Sequence, residues 1–193
     1  MLDKVNSLLK KKFRIGFMRY FPYRTATLFA KEILGNKRNL ICAEIGSFEG
    51  DHALFMLETL PNIKTLYLID PWESYSYYHD NMGDQQKLNN AYNKTLKKLK
   101  KYKDKTVIIK KFSHEALKDL PGDLDYIYID GNHDYKFVKE DMENYYKKLR
   151  KGGILGGHDI EKEGVTKAFC EFIAKNKIKN PRIKIMDWMF VKE

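Results

Sequence analysis

The chain has 193 residues, of which 43% are apolar and 13% aromatic. This composition excludes a disordered chain, and the length favours a single domain with its own core. No apolar run reaches the roughly 20 residues of a membrane span, and no apolar segment of a signal peptide precedes the lysines at 10–12. We therefore expect a reduced, cytoplasmic protein, in which Cys42 and Cys170 are buried rather than paired.

The formal net charge of +10 is unevenly distributed along the chain. Residues 1–38 hold ten basic and two acidic side chains, and residues 87–111 hold ten lysines and one aspartate. The rest of the chain is therefore acidic. Basic segments can bind nucleic acid or an anionic membrane surface, although a lysine-rich helix most often has a solvated face.

Apolar spacing predicts a basic amphipathic helix over 1–20 and a second helix over Thr25–Leu34. Strands and helices then alternate. Short apolar runs predict strands at Asn39–Ile45, Thr65–Asp70, Thr106–Phe112, Leu124–Asp130 and Ile154–Gly157, with one or two more in Arg182–Lys192. Helices are predicted at Asp51–Leu60 with Asp51 as N-cap, Asp84–Lys103, Ser113–Leu120, Tyr135–Arg150 stopped by Gly152-Gly153, and Glu163–Lys175. This alternation is typical of a doubly wound α/β domain with a mainly parallel sheet.

Ligands of such sheets lie beyond the carboxyl ends of the strands, near the switch in strand order. The first strand leads into a loop with two glycines, Gly46 and Gly50, that lets a ligand approach the backbone. The loop lacks the three-glycine dinucleotide fingerprint and the P-loop ending, and the acidic Glu44 before it suits a cationic ligand. The second strand ends in Asp70, where an acid commonly bonds ribose hydroxyls. An ordinary tight turn and a solvated strand end are the alternatives.

A more specific pattern follows in the second half of the chain. Asp130-Gly131-Asn132-His133-Asp134-Tyr135 is followed by Asp141, by Leu149-Arg150-Lys151-Gly152-Gly153 and by His158-Asp159. With the glycine loop, this string resembles class I S-adenosylmethionine-dependent methyltransferases, in a branch related to macrocin-type sugar O-methyltransferases and more distantly to catechol O-methyltransferase. The resemblance covers residues 38–193. It implies a Rossmann-like methyltransferase fold, with a mainly parallel seven-stranded sheet and helices on both faces. Residues 1–37 lie outside the resemblance, and we expect them to form a basic helical extension.

The resemblance also implies which residues bind S-adenosylmethionine. The first-strand loop would border the methionine part of the cofactor through Glu44, Gly46, Ser47 and Gly50. Asp70 would hold the ribose, with Pro71 and Trp72 alongside. Ser113 would lie near the adenine, and Asp130 would border the cofactor from the fourth strand.

Divalent metal ions bind at the ends of the fourth and fifth strands in metal-dependent relatives. Asp130 and Asp159 match two of those ligand positions, and His158 stands at the third. Paired carboxylates suit Mg²⁺, whereas an imidazole shifts the preference toward ions such as Mn²⁺. The alternative is a hydrogen-bonded structural cluster without metal. Asp130, His133 and His158 are the catalytic candidates, and the ordinary pKa of histidine suits His133 as a general base.

The sequence thus predicts O-methylation of a small hydroxylated acceptor such as a sugar or glycoconjugate, with or without metal assistance. An aromatic stretch at 72–79 could form a lid over the acceptor, or could cover a sheet edge or a partner subunit. Tyr23, Arg24 and Trp188 are expected to be packing or surface residues. The alternatives are an RNA methyltransferase that uses the basic segments and a non-catalytic cofactor-binding relative. We also expect a homo-oligomer, and an N-terminus that could touch an anionic surface.

Overall fold

The computed structural model describes residues 24–75 and 84–193. The predicted helix over 1–20, Tyr23 and residues 76–79 of the predicted lid lie outside the described residues. The boundary at residue 37 and the homo-oligomer therefore stay predictions. Within the described ranges, no helix is both long and apolar enough to cross a membrane.

The described residues form seven strands and six α-helices, joined by loops and two short 3-10 helices. The helices are α1 (Thr25–Leu34), α2 (Asp51–Thr59), α3 (Gln85–Leu99), α4 (Ser113–Ala116), α5 (Tyr135–Lys148) and α6 (Glu163–Lys175). The strands are β1 (Leu40–Ile45), β2 (Ile63–Ile69), β3 (Thr106–Ile109), β4 (Leu124–Ile129), β5 (Leu149–Gly157), β6 (Arg182–Lys184) and β7 (Asp187–Val191). The predicted doubly wound, mainly parallel seven-stranded sheet is confirmed.

The sheet has the order β3-β2-β1-β4-β5-β7-β6, and only β7 is reversed, so that it pairs antiparallel with both β5 and β6. The chain winds outward from β1 to β3 and then returns to place β4 on the other side of β1. The switch in strand order therefore lies between β1 and β4, and their carboxyl ends meet there. An open parallel sheet binds its ligands at such a switch point.

Helices cover both faces of the sheet because each strand alternates its side chains between two cores. Cys42 points into the core formed with α1 and α2, whereas Ala43 and Ile45 point into the core formed with α5 and α6. The second core also encloses Trp188, which is 1% exposed and confirms the packing role expected of it. Cys42 is buried as predicted, but Cys170 is exposed, since α6 turns its apolar stripe of Val165, Ala168, Phe169 and Phe172 to the sheet and carries Cys170 elsewhere.

Several predicted boundaries were wrong. Helix α3 ends at Leu99 rather than Lys103, α4 ends at Ala116 rather than Leu120, and β3 ends at Ile109 rather than Phe112. Gly50, in a left-handed conformation with φ 72°, takes the N-cap position of α2, so Asp51 is the first helical residue rather than the cap. Helix α5 ends at Lys148, because Leu149 already pairs with Leu124 of β4. The two glycines at 152 and 153 therefore lie inside β5 rather than at a helix end.

Helix α1 is tied to the sheet through the buried carboxylate of Asp187. This carboxylate accepts hydrogen bonds from the backbone N–H of Ala26 at 2.8 Å, the hydroxyl of Thr25 at 3.2 Å and the hydroxyl of Tyr128 at 2.9 Å. The residue just before α1, Arg24, is thereby held beside the end of β4.

We expect Asp187→Ala to lower the free energy of unfolding by roughly 2 to 4 kcal/mol, because it leaves the backbone N–H of Ala26 and the hydroxyl of Tyr128 without their acceptor. The hydroxyl of Thr25 keeps a second acceptor, the carbonyl of Lys184 at 2.9 Å. The matched control is Asp119→Ala, which removes only a half-exposed partner of Lys111 and should cost less than about 1 kcal/mol. Urea unfolding of the two variants measures the difference. Equal losses in the two variants would contradict an anchoring role for Asp187.

Candidate functional site

Two cavities open at the switch point between β1 and β4. The Asp70 cavity lies toward β2 and β3, and its lining includes Ile45, Gly46, Phe48, Ile69, Asp70, Pro71, Glu73, Tyr75, Phe112, Ser113, Asp130, Gly131, Asn132, Phe137 and Asp141. The Arg24 cavity lies on the other side, lined by Arg24, Glu44, Gly46, Ser47, Phe48, Glu49, Asp51, His52, Asp130, Gly131 and His133. Within the described residues, Asp130 is the only ionisable side chain that lines both cavities.

The glycine loop after β1 runs against the end of β4. Gly46 has φ +87°, and a Cβ atom there would overlap the carbonyl oxygen of Asp130. Its N–H donates to the carbonyl of Ile69 at 2.8 Å, and the N–H of Asp130 donates to the carbonyl of Ile45 at 2.8 Å. Only glycine tolerates both the left-handed backbone and this close approach. Gly46 lines both cavities, at the point where they meet.

Asp70 holds the glycine loop as well as lining its cavity. Its carboxylate accepts from the backbone N–H of Phe48 at 2.9 Å and of Trp72 at 2.7 Å. Burial raises the pKa of Asp70 to about 6, although these two hydrogen bonds work against the rise. Trp72 was expected beside the cofactor, but its ring is fully buried and donates to the carbonyl of Phe48 at 2.8 Å. Trp72 thus supports the loop from behind and lines neither cavity.

The predicted cofactor residues divide between the two cavities. Gly46, Asp70, Pro71, Ser113 and Asp130 line the Asp70 cavity, and Glu44 and Ser47 line only the Arg24 cavity. Gly50 lines neither, because it turns into α2 against Thr95.

Three side chains that the sequence analysis named without a cofactor role complete the Asp70 cavity: Tyr75 from the aromatic stretch, and Asn132 and Asp141 from the motif string. Tyr75 packs edge-on against Phe112 with ring centroids 5.3 Å apart, and the amide of Asn132 donates to its hydroxyl at 3.4 Å. Asp141 is 4% exposed, and burial raises its pKa to about 7 despite the nearby hydroxyl of Ser113. Asp141 belongs to the motif string, but its distance from the strand ends in sequence hid its place in this cavity.

Glu44 does not carry the negative charge that a glutamate side chain usually has at neutral pH. It is 1% exposed, and burial raises its pKa to about 8. One carboxyl oxygen is hydrogen-bonded to Nδ1 of His52 at 2.8 Å, and Nε2 of that ring to the hydroxyl of Thr27 at 2.8 Å. Burial lowers the pKa of His52 to about 3. At neutral pH the pair is therefore a neutral hydrogen bond rather than an ion pair, and His52 was missed because nothing in its spacing marks it.

Asp130, His133, His158 and Asp159 come together as predicted from the motif string. His133 Nε2 lies 2.7 Å from Asp159 Oδ2, and His158 Nδ1 lies 2.9 Å from Asp159 Oδ1. Burial alone would raise the pKa values of both aspartates, but the adjacent histidines, and Arg24 beside Asp130, outweigh it and hold those pKa values below the usual range. Asp130, His133 and Asp159 each place one donor atom within 4.8 Å of the others, so His133 replaces His158 in the most compact set of candidate metal donors.

Two basic side chains contact this cluster. Arg24, expected to be a packing or surface residue, places Nη2 3.1 Å from Asp130 Oδ2 and donates from Nη1 to the hydroxyl of Tyr128 at 3.3 Å. Lys162 Nζ lies 2.9 Å from His133 Nδ1. Both contacts join residues that are far apart in the sequence, so no local sequence pattern predicts them.

The rim of the Arg24 cavity is less acidic than the sequence suggests. Glu49 pairs with Lys94 at 2.6 Å, and Asp51 pairs with Lys98 at 2.8 Å. Both lysines belong to α3, within the basic segment 87–111, whose position relative to the strand ends the sequence leaves open. The basic helix therefore neutralises part of the acidic rim.

The comparisons with known proteins point to one family. A family model described as a methyltransferase domain matches residues 43–160. The uncharacterized protein R132 of Acanthamoeba polyphaga mimivirus is 31% identical over 125 residues, which are 65% of this chain and 53% of that protein. The chain thus spans about half the length of this curated relative.

Solved structures show the same fold at low sequence identity. The O-methyltransferase NovP superposes with a TM-score of 0.66 at 13% identity, over 87% of this chain and 78% of that one. An O-methyltransferase from Bacillus cereus, solved in complex with SAH, gives 0.64 at 11% identity over 100% of both chains. At such identities the likeness establishes the architecture and not the acceptor.

The buried Glu44 predicts a specific pH dependence of stability. A carboxyl whose pKa is 4.5 when unfolded and about 8 when folded stabilises the fold at low pH, and this contribution is lost as the pH rises from 4.5 to 8. Glu44→Gln is neutral throughout, so we expect the wild type to lose stability relative to this variant by a few kcal/mol across that window, of which roughly 1.4 kcal/mol would be lost per pH unit.

Urea unfolding at pH 5, 6.5 and 8 measures this difference, with the exposed Glu32→Gln as the control that should parallel the wild type. Parallel curves for the wild type and Glu44→Gln would mean that Glu44 is ionised in the folded protein.

Proposed function

Because the chain belongs to the methyltransferase-domain family of class I S-adenosylmethionine-dependent enzymes, we propose that it transfers a methyl group from S-adenosylmethionine to a hydroxyl group of a small molecule. The observation that carries this proposal is the meeting of two cavities at Asp130. The Asp70 cavity suits the nucleoside part of the cofactor, and the Arg24 cavity suits its methionine part together with the acceptor hydroxyl.

The residues present fit S-adenosylmethionine. Each carboxylate oxygen of Asp70 keeps a lone pair beyond its backbone hydrogen bond and can accept from a ribose hydroxyl. Phe112 and Pro71 offer apolar walls to an adenine ring. Glu44 Oε2 and Ser47 Oγ are buried and complete no hydrogen bond within the described residues, and they suit the ammonium group of the methionine part. The bound cofactor supplies the methyl group on a sulfonium, whose sulfur keeps the electron pair when the carbon–sulfur bond breaks.

Asp130 is the side chain placed to receive the acceptor proton. Asp130 lines both cavities, and the adjacent His133, Arg24 and His158 hold the pKa of its carboxylate below the usual range. It can accept a hydrogen bond from the acceptor hydroxyl, aim that oxygen at the methyl carbon, and take the proton as the new carbon–oxygen bond forms. His133 and His158 contact Asp159, and Arg24 contacts Asp130. These three side chains position the two carboxylates and do not accept the proton.

Metal assistance has one observation in its favour. Asp130, His133 and Asp159 offer donor types and spacing that a divalent ion such as Mg²⁺ or Mn²⁺ can use. Arg24 and Lys162 oppose it, because each already occupies one of those donor residues. The cluster in this arrangement does not fit a metal ion, so we derive no catalytic step through one.

The acceptor we favour is a sugar or another polyhydroxylated molecule. The lining of the Arg24 cavity is predominantly polar, with carboxylates, histidines and an arginine in reach of hydroxyl groups. Polar groups of this kind fix the orientation of a hydroxylated ring, whereas an aromatic acceptor would need a larger apolar wall.

A nucleic-acid acceptor is the second candidate, favoured by the lysines of α3 at the rim of the Arg24 cavity. RNA methylation would draw on basic charge around the mouth. Lys94 and Lys98 are each paired with an acid of the same rim, which leaves little unmatched positive charge there. We therefore rank RNA below a small molecule.

Calorimetry with S-adenosylhomocysteine tests the cofactor site. We expect binding by the wild type and a loss of about 10- to 100-fold in affinity for Asp70→Ala, because charge-assisted hydrogen bonds are worth about 1.5 to 3 kcal/mol. The exposed Asp104→Ala should bind like the wild type. A wild type that does not bind the ligand would rule out the proposed function.

Methyl transfer to a panel of monosaccharides, glycosides, catechols and short RNAs identifies the acceptor. For the acceptor that is methylated, Asp130→Asn should lower kcat by at least about 100-fold while the affinity for S-adenosylhomocysteine changes less than about threefold. Glu49→Gln, which lies in the same cavity, is the control and should keep most of the rate. An unchanged kcat in Asp130→Asn would remove Asp130 from the chemistry.

A further inference from the structure

Arg24 occupies the inner edge of the acceptor cavity as a fixed cation. Its guanidinium contacts Asp130 at 3.1 Å and Tyr128 at 3.3 Å, and it lies 5.8 Å from the centre of the Tyr128 ring. The side chain is only 23% exposed. It stands directly before α1, whose first turn Asp187 anchors. Arg24 is therefore built into the wall of the cavity.

Lys162 restricts His133 in a different way. An ammonium group has only donors, so the 2.9 Å contact with Lys162 makes Nδ1 of His133 an acceptor. In the neutral ring the proton is then on Nε2, which lies 2.7 Å from Asp159 Oδ2. A metal ion would need the lone pair of Nε2, and that proton stands in its place.

The two contacts block two of the three candidate metal ligands. Asp130 is engaged by a guanidinium, and His133 presents a proton where a ligand would present a lone pair. A divalent ion would have to displace Arg24 and reverse the tautomer of His133 against Lys162. It would also stand within a few ångströms of a guanidinium charge, where the repulsion between cations is large in a partly buried site.

We propose that Arg24 and Lys162 take the place of a divalent ion at the ends of β4 and β5, so that this methyltransferase works without a metal. Arg24 provides the positive charge next to the acceptor oxygen that a metal provides in a metal-dependent site, and it stabilises that oxygen as its proton moves to Asp130. The role toward the acceptor rests on the proposed methyl transfer. The exclusion of a metal does not rest on it.

Manganese binding, followed by electron paramagnetic resonance on the full chain, tests the proposal without any turnover. We expect the wild type to bind Mn²⁺ no more tightly than about 1 mM. The double variant Arg24→Gln, Lys162→Gln should bind it at least tenfold more tightly, since Asp130 and Nε2 of His133 become available. Lys94→Gln is the control, because it removes a positive charge at the rim of the same cavity without touching the cluster.

Micromolar Mn²⁺ binding by the wild type would overturn the proposal, and so would a double variant that gains no more affinity than Lys94→Gln. The wild-type titration decides the question by itself if thermal melting shows that the double variant is unfolded. For the acceptor that is methylated, the wild-type rate should also survive EDTA, and a loss that Mn²⁺ restores would again overturn the proposal. Failure of the methyl-transfer proposal would appear separately, as a lack of S-adenosylhomocysteine binding.

Discussion

The pairing of β1 with β4 is the constraint on which the site depends. Ile45 and Ile129 are partners in adjacent parallel strands although more than 80 residues separate them, and their following residues leave the sheet in the same place. The loop after β1 must pass the end of β4 at a distance that only Gly46 permits. This passage sets one cavity on each side of the loop, and it leaves Asp130 facing both.

The sequence predicts those features that local patterns encode. Helix α6 lies over the predicted Glu163–Lys175, and each predicted core strand overlaps an observed one, because alternation and apolar spacing are properties of short segments. Gly46, Asp70 and Asp130 were identified for the same reason, since the ends of strands are visible in the sequence. Predicted boundaries were wrong where the pairing of strands determines them. Leu149 continues the helical pattern of the sequence, but it pairs with β4 and therefore belongs to β5.

Side-chain contacts between distant elements could not be predicted in this way. Arg24 reaches Asp130 because Asp187 fixes the start of α1, and a sequence pattern contains no trace of that geometry. The prediction for Trp72 was wrong in the opposite sense, because a residue expected in the site lines neither cavity. Its position after Asp70 suggested a cofactor contact, but its positive φ of 43° turns the ring beneath the glycine loop. Residue type and position thus indicated the site, and backbone conformation decided which side chains enter it.

Charge is the property that the fold changes most. The sequence shows two basic segments in an otherwise acidic chain and leaves their distance from the strand ends open. Packing of α3 beside α2 pairs Lys94 with Glu49 and Lys98 with Asp51. Burial removes the charge of Glu44 at neutral pH, and partly exposed ion pairs contribute little field of their own because solvent screens them. What remains is the contact of Arg24 with Asp130, whose side chains are 23% and 17% exposed. One fixed cation therefore lies beside one fixed carboxylate at the point where the cavities join, and the net charge of +10 does not determine either.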